Sequence, residues 1–170
     1  MLLNFQKTKK NVTTGFGMIE VIVAVAIIAI AFTALFDVFS YYLRVQFANT
    51  RIVKASFLLE EGLEVVRLLR DTSWSSHIGN TTIGTDYYLY WTGSAWQSTT
   101  TLQTVDTLYT RKIVISNAYR DGTDRLVSSG GTLDSNTRGY IVTVTWPTNL
   151  ASSGTTSRQV SSYITNMFTN

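Results

Sequence analysis

The chain has 170 residues, 14 Lys and Arg against 11 Asp and Glu, 45% hydrophobic and 12% aromatic residues, and no cysteine. Its net charge of +3 does not mark a nucleic-acid binder, because Lys7, Lys9 and Lys10 precede Gly15 with no acid among them and the rest of the chain is formally neutral. No Lys/Arg cluster remains there for a row of phosphates. Without cysteine there are no disulfides, so an exported domain must be held by helix and sheet packing or by a metal.

Residues 1–15 read as a leader, whose lysines stay on the inner face of a membrane when a spanning segment follows. An ordinary secretory signal is cut after its apolar region. Here the boundary, Gly15-Phe16-Gly17-Met18-Ile19-Glu20, comes before it. Val21 to Phe36 carries no charge, and residues 16–36 make a helix of roughly 31 Å, enough to cross a hydrocarbon core. Glu20 is the exception in this run. An acid at mid-bilayer costs about 2.5 to 3.5 kcal/mol, so it marks a function with a partner to be found.

Gly15, Phe16 and Glu20, with basic residues upstream and a Val/Ala/Ile/Phe run downstream, resemble the processing site of class III signal peptides. These belong to type IV pilins, minor pilins and the pseudopilins of type II secretion and DNA uptake. The resemblance implies that a prepilin peptidase cuts between Gly15 and Phe16 and N-methylates the new Phe16 amine. It implies further that the Glu20 carboxylate pairs with the Phe16 amine of a neighbouring subunit; the alternative is that Glu20 snorkels to headgroups. The partners implied are the peptidase, other pilin or pseudopilin subunits, an inner-membrane assembly platform and the lipid bilayer. The location implied is a single pass through the cytoplasmic membrane, leader inside and globular domain outside, followed by an extracellular or periplasmic filament.

Residues 37–71 continue as an amphipathic helix. Ile52, Ala55, Leu59, Leu63, Val66 and Leu69 recur at spacings of three and four. Arg51, Lys54, Glu60, Glu61, Glu64, Arg67 and Arg70 take the other positions, with Glu64–Arg67 or Arg67–Asp71 as surface pairs. Gly62 should cost up to about 1 kcal/mol against Ala and reads as a point of close packing against the globular part. Many major pilins carry a proline near the position of Asp37. An acid there favours a minor pilin or pseudopilin over a bulk filament subunit.

Residues 72–170 form the globular part, rich in Ser, Thr, Gly and aromatics. Residues 72–86 read as a connecting loop. Strands are expected at Tyr87–Trp91, Leu108–Tyr119, Gly139–Trp146 and Arg158–Phe168, with Tyr109, Arg111, Ile113 and Ile115 on one face of the second. In the third, Tyr140, Val142, Val144 and Trp146 share the buried face and Pro147 ends the strand. The expected fold is α+β: a long N-terminal helix, membrane-spanning in its first half and amphipathic in its second, packed on a small antiparallel β-sheet domain.

Chemistry-bearing constellations are sparse. Asp121, Asp124 and Asp134 are the acidic cluster that could take calcium, against the reading of Asp121-Gly122 as a solvated turn; no other cofactor is expected. His77 is the lone histidine, in a Ser/Gly loop without a triad pattern, and no enzyme is indicated. Trp74, Tyr87, Tyr88, Tyr90, Trp91 and Trp96 read as core aromatics or as a stacking platform for sugar or nucleic acid. Three functions follow: a filament subunit of the minor pilin kind or a minor pseudopilin of type II secretion or DNA uptake; a membrane-anchored carbohydrate- or DNA-binding module; and, with almost no support, a membrane enzyme.

Overall fold

The computed structural model describes residues 15–148 and 154–167; the leader lysines Lys7, Lys9 and Lys10 and the expected strand end at Phe168 lie outside them. The chain divides into two compact units, Met1–Gln46 and Phe47–Asn170. One helix, α1 (Met18–Thr72), contributes to both.

In the first unit every described residue is exposed. Its Val and Ile residues lower helix propensity in water. In an apolar medium the preference reverses, because each backbone N–H and C=O must be paired within the segment and a helix does that. An 18-residue window of α1 has a mean hydropathy of 2.7 with no part of it buried, so the helix is long and apolar enough to cross a membrane.

The second unit packs the C-terminal part of α1 on an antiparallel sheet, the expected α+β arrangement. Its strands are β1 (Asp86–Trp91), β2 (Trp96–Thr99), β3 (Thr104–Val105), β4 (Tyr109–Arg120), β5 (Leu126–Val127), β6 (Thr132–Pro147) and β7 (Thr155–Thr165). The order across the sheet is β2-β1-β4-β6-β7, with β3 and β5 pairing against the ends of β4. Ile113 lies opposite Val142 and Ile115 opposite Tyr140, so the apolar faces of β4 and β6 coincide. Val65, Val66 and Leu69 of α1 close on them with Leu89 and Ile78. A second cluster joins Ala55 and Leu58 to Tyr109, Val144 and Trp146. Each fully buried aliphatic side chain here contributes about 1.5–3 kcal/mol relative to exposure.

The four expected strands are present with shifted ends. β6 begins at Thr132 rather than Gly139, because its first half pairs with the end of β4 after a bulge at Asn117/Ala118. β7 runs from Thr155 to Thr165 rather than from Arg158. The loop expected over 72–86 holds a π-helical turn, Ser75–Gly79, which buries Ile78. β2, β3 and β5 carry no alternating apolar pattern and were not expected.

The buried face of α1 is turned from the expected one. It consists of Ala55, Leu58, Gly62, Val65, Val66 and Leu69; Ile52 is exposed, and Leu59 and Leu63 flank the core half-buried. Gly62 explains the rotation. A Cβ built there would lie 2.6 Å from Val142 Cγ1 and 3.3 Å from Arg111 Cδ, so the glycine marks the line of closest approach between helix and sheet.

Candidate functional sites

Gly15, Phe16 and Gly17 precede the helix in irregular backbone, and α1 starts at Met18. The Gly17 carbonyl accepts the first helical bonds, from Glu20 N at 3.0 Å and Val21 N at 3.3 Å. The Gly15–Phe16 peptide bond is therefore outside any hydrogen-bonded element, and Phe16 is 82% exposed. Irregular exposed backbone of this kind is where a peptidase can seat a chain. Glu20 lies in the first turn of α1, where a carboxylate is favoured by the helix dipole. Among the described residues it has no ion-pair partner. Asp37 and Arg44, further along the same exposed helix, also form no ion pair among the described residues.

The family model for the prokaryotic N-terminal methylation motif matches residues 10–36. The chain carries a type IV pilin-like class III signal peptide. The pilin-like motif spans the leader end, the Gly15–Phe16 junction, Glu20 and the apolar run to Phe36, and it supports a pilin-like or pseudopilin protein, a structural rather than enzymatic kind. No curated protein and no solved structure matches the chain significantly.

In the sheet domain, Asp124 and Asp134 face a cation of the chain itself. Arg120 Nε donates to Asp134 Oδ2 at 2.7 Å and lies 3.5 Å from Asp124 Oδ1, while its Nη1 donates to the Asp124 carbonyl at 2.9 Å. The Arg120 bond, followed by one from Thr137, holds the Asp134 carboxyl down to about 2. Asp121 folds back on its own turn: its Oδ1 accepts from Thr123 Oγ1 at 2.7 Å, Thr123 N at 2.8 Å and Arg125 N at 3.1 Å, which lowers its pKa in turn. The calcium candidates thus do not converge on one point, and no group of three metal-binding side chains occurs among the described residues.

Trp74, Tyr87 and Trp96 pack half-buried against the core, and the Tyr87 hydroxyl accepts Thr82 N at 3.0 Å. Trp91 and Trp96 are register partners across the β1–β2 hairpin, with centroids 5.7 Å apart and planes tilted by 59°. Sequence reasoning missed what lies beside them. The Arg111 guanidinium is 2% exposed, sits 5.0 Å from the Trp96 ring centroid and donates Nη1 to Glu61 Oε2 at 2.6 Å. The available signal was Arg111 itself, placed by alternation among Tyr109, Ile113 and Ile115, with an acid next to Gly62 to meet it. Glu61, Gln103, Asp106, Arg111, Trp91 and Trp96 border a groove of about 370 Å³. His77 lies half-buried in the π turn.

Proposed function

We propose that the chain is a structural subunit of a type IV pilus-like filament, of the minor pilin or minor pseudopilin kind. It is cleaved after Gly15, methylated on Phe16, held in the cytoplasmic membrane with its sheet domain outside, and drawn from there into a filament by an assembly platform. The observation that carries this is the combination at the head of α1: an exposed Gly15–Phe16 junction, an acid one turn in, and a helix surface with no protein cover. Cleavage creates a positive amine at Phe16 near the depth of a neighbour's Glu20. In low dielectric the two charges are far better paired than apart. Methylation keeps that charge.

The same displacement accommodates Asp37 and Arg44. Seven residues separate them, about 10 Å along the helix, which is too far for a pair within one chain. A neighbour displaced so that its Phe16 is level with Glu20 brings its Asp37 level with residue 41. Arg44 reaches that level because helical side chains lean toward the N-terminus. Glu20–Phe16 and Arg44–Asp37 then form two rungs of one register.

Co-expression with a prepilin peptidase tests the proposal. Intact mass should show loss of residues 1–15 and gain of one methyl group, and Gly15→Leu should block both. A chain left at full length beside an active peptidase would overturn it.

A further inference from the structure

We propose that the groove beside Trp91 binds a neutral saccharide, a function independent of the filament role. Trp91 is on the same side of β1 as Leu89, two residues earlier, yet Leu89 is 1% exposed and Trp91 52%. The core-facing side of the sheet thus runs on past the helix that covers it, as an aromatic ledge formed with Trp96. Around the ledge stand two carboxylates, an amide and a guanidinium, from Glu61, Asp106, Gln103 and Arg111. A pyranose needs that combination: an aromatic surface for its C–H face and planar acceptors and donors for its hydroxyl rim. The volume falls in the range of small-ligand clefts, about 300–1,000 Å³.

Charge decides against phosphate-bearing ligands. Glu61 is neutralised by Arg111, and Asp106 by Lys54 Nζ at 2.7 Å, so the groove offers no spare cation. A backbone feature marks the rim of the groove. Asp106 and Thr107 both have positive φ, 51° and 56°, as the central residues of the turn closed by Leu108 N donating to the Val105 carbonyl at 3.2 Å, within the three-residue connection between β3 and β4; Asn-Gly would be relaxed there. Such strain is held by surrounding structure and gathers at binding sites; here it sets the Asp106 carboxylate at the groove rim.

The test is titration of the full chain, in a phosphocholine detergent that carries no sugar, with maltose, cellobiose and N,N′-diacetylchitobiose, following the indole N–H resonances of Trp91 and Trp96, the latter being the probe in the Trp91 variants. At least one disaccharide should give a saturable shift. Trp91→Ala should weaken that binding about tenfold or more, and Asp106→Asn, at an exposed position, by about tenfold, the size of one lost hydrogen bond. Trp91→Phe should retain most of it. Absence of a shift with all three sugars, affinity unchanged in Trp91→Ala, or salt-sensitive binding of oligothymidylate in their place would overturn the proposal.

Discussion

Gly62 of α1 and Val142 of β6 approach so closely that a methyl group on the glycine would lie 2.6 Å from Val142 Cγ1. Both residues are in the core, Val142 with no exposed surface. Gly62→Ala therefore sets two effects against each other: helix propensity improves by up to about 1 kcal/mol, while overpacking costs about 1–3 kcal/mol. The overlap wins because the neighbour is a fully buried β-branched side chain, stiff about χ1 and enclosed by the core. Thermal unfolding of Gly62→Ala should show a melting temperature several degrees lower, and Gly62→Ala with Val142→Ala should lose less than the sum of the two single losses, because the truncated side chain makes room for the added methyl group. A more stable single variant would show that helix and sheet are less tightly apposed.

Arg111 and Glu61 give a second prediction. Removing Glu61 leaves a guanidinium that is 2% exposed without its carboxylate, and breaking a buried pair costs about 3–5 kcal/mol. The Glu61 side chain is 43% exposed, so water replaces part of the interaction and the expected loss for Glu61→Gln is nearer about 1–2 kcal/mol. Arg111→Met with Glu61→Gln should be less harmful than Glu61→Gln alone, since no charge is left stranded. Urea denaturation of Glu61→Gln, Arg111→Met and the double variant measures this; additive losses would mean that the two side chains do not interact.

The alternation in β4 and β6 was legible because one face of each is buried against α1 and period-2 patterning records that burial directly. Gly62 was legible as a packing point, but the stripe on α1 was read one step to the side. A count of apolar residues passes over glycine, whereas the closest approach of a helix to a sheet goes to the residue without a side chain. β2, β3 and β5 were illegible for another reason: at two to four residues, Trp96–Thr99, Thr104–Val105 and Leu126–Val127 are too short to carry an alternating pattern. The methylation motif across Gly15–Glu20 was recognisable because it is local. The groove at Trp91 depends on a cross-strand pair and a helix residue 30 positions earlier, which no local pattern carries.

The Arg120–Asp134 pair makes stability depend on acid. The Asp134 carboxyl is held at about 2 when folded, below its unfolded value of about 4, so the folded state binds the proton more weakly. The stabilisation is present above about pH 4 and is lost as pH falls through the folded pKa. Melting temperature should thus be insensitive to this pair from pH 5 to 8 and decline between about pH 4 and 2. In Asp134→Asn the melting temperature should be lower at pH 7, and its decline between pH 4 and 2 should be shallower. An identical acid profile in the variant would remove Asp134 as the responsible group.

The two-rung register places Asp37 and Arg44 on opposite sides of one subunit contact. Reversing either charge alone, Asp37→Arg or Arg44→Asp, should reduce incorporation into filaments by about tenfold or more, because like charges then meet in a poorly solvated interface. Processing at Gly15–Phe16 should continue, since both residues lie far along the helix from the junction. Combining the two reversals restores an attractive pair in the same geometry. The double variant should then assemble better than either single one, measured as sheared filament protein against membrane-retained protein. Glu20→Ala should be processed and remain in the membrane, with no rescue by the double reversal, because its partner is the Phe16 amine. If the double reversal assembles no better than the single ones, Asp37 and Arg44 do not meet across the contact, and the register would rest on Glu20 alone.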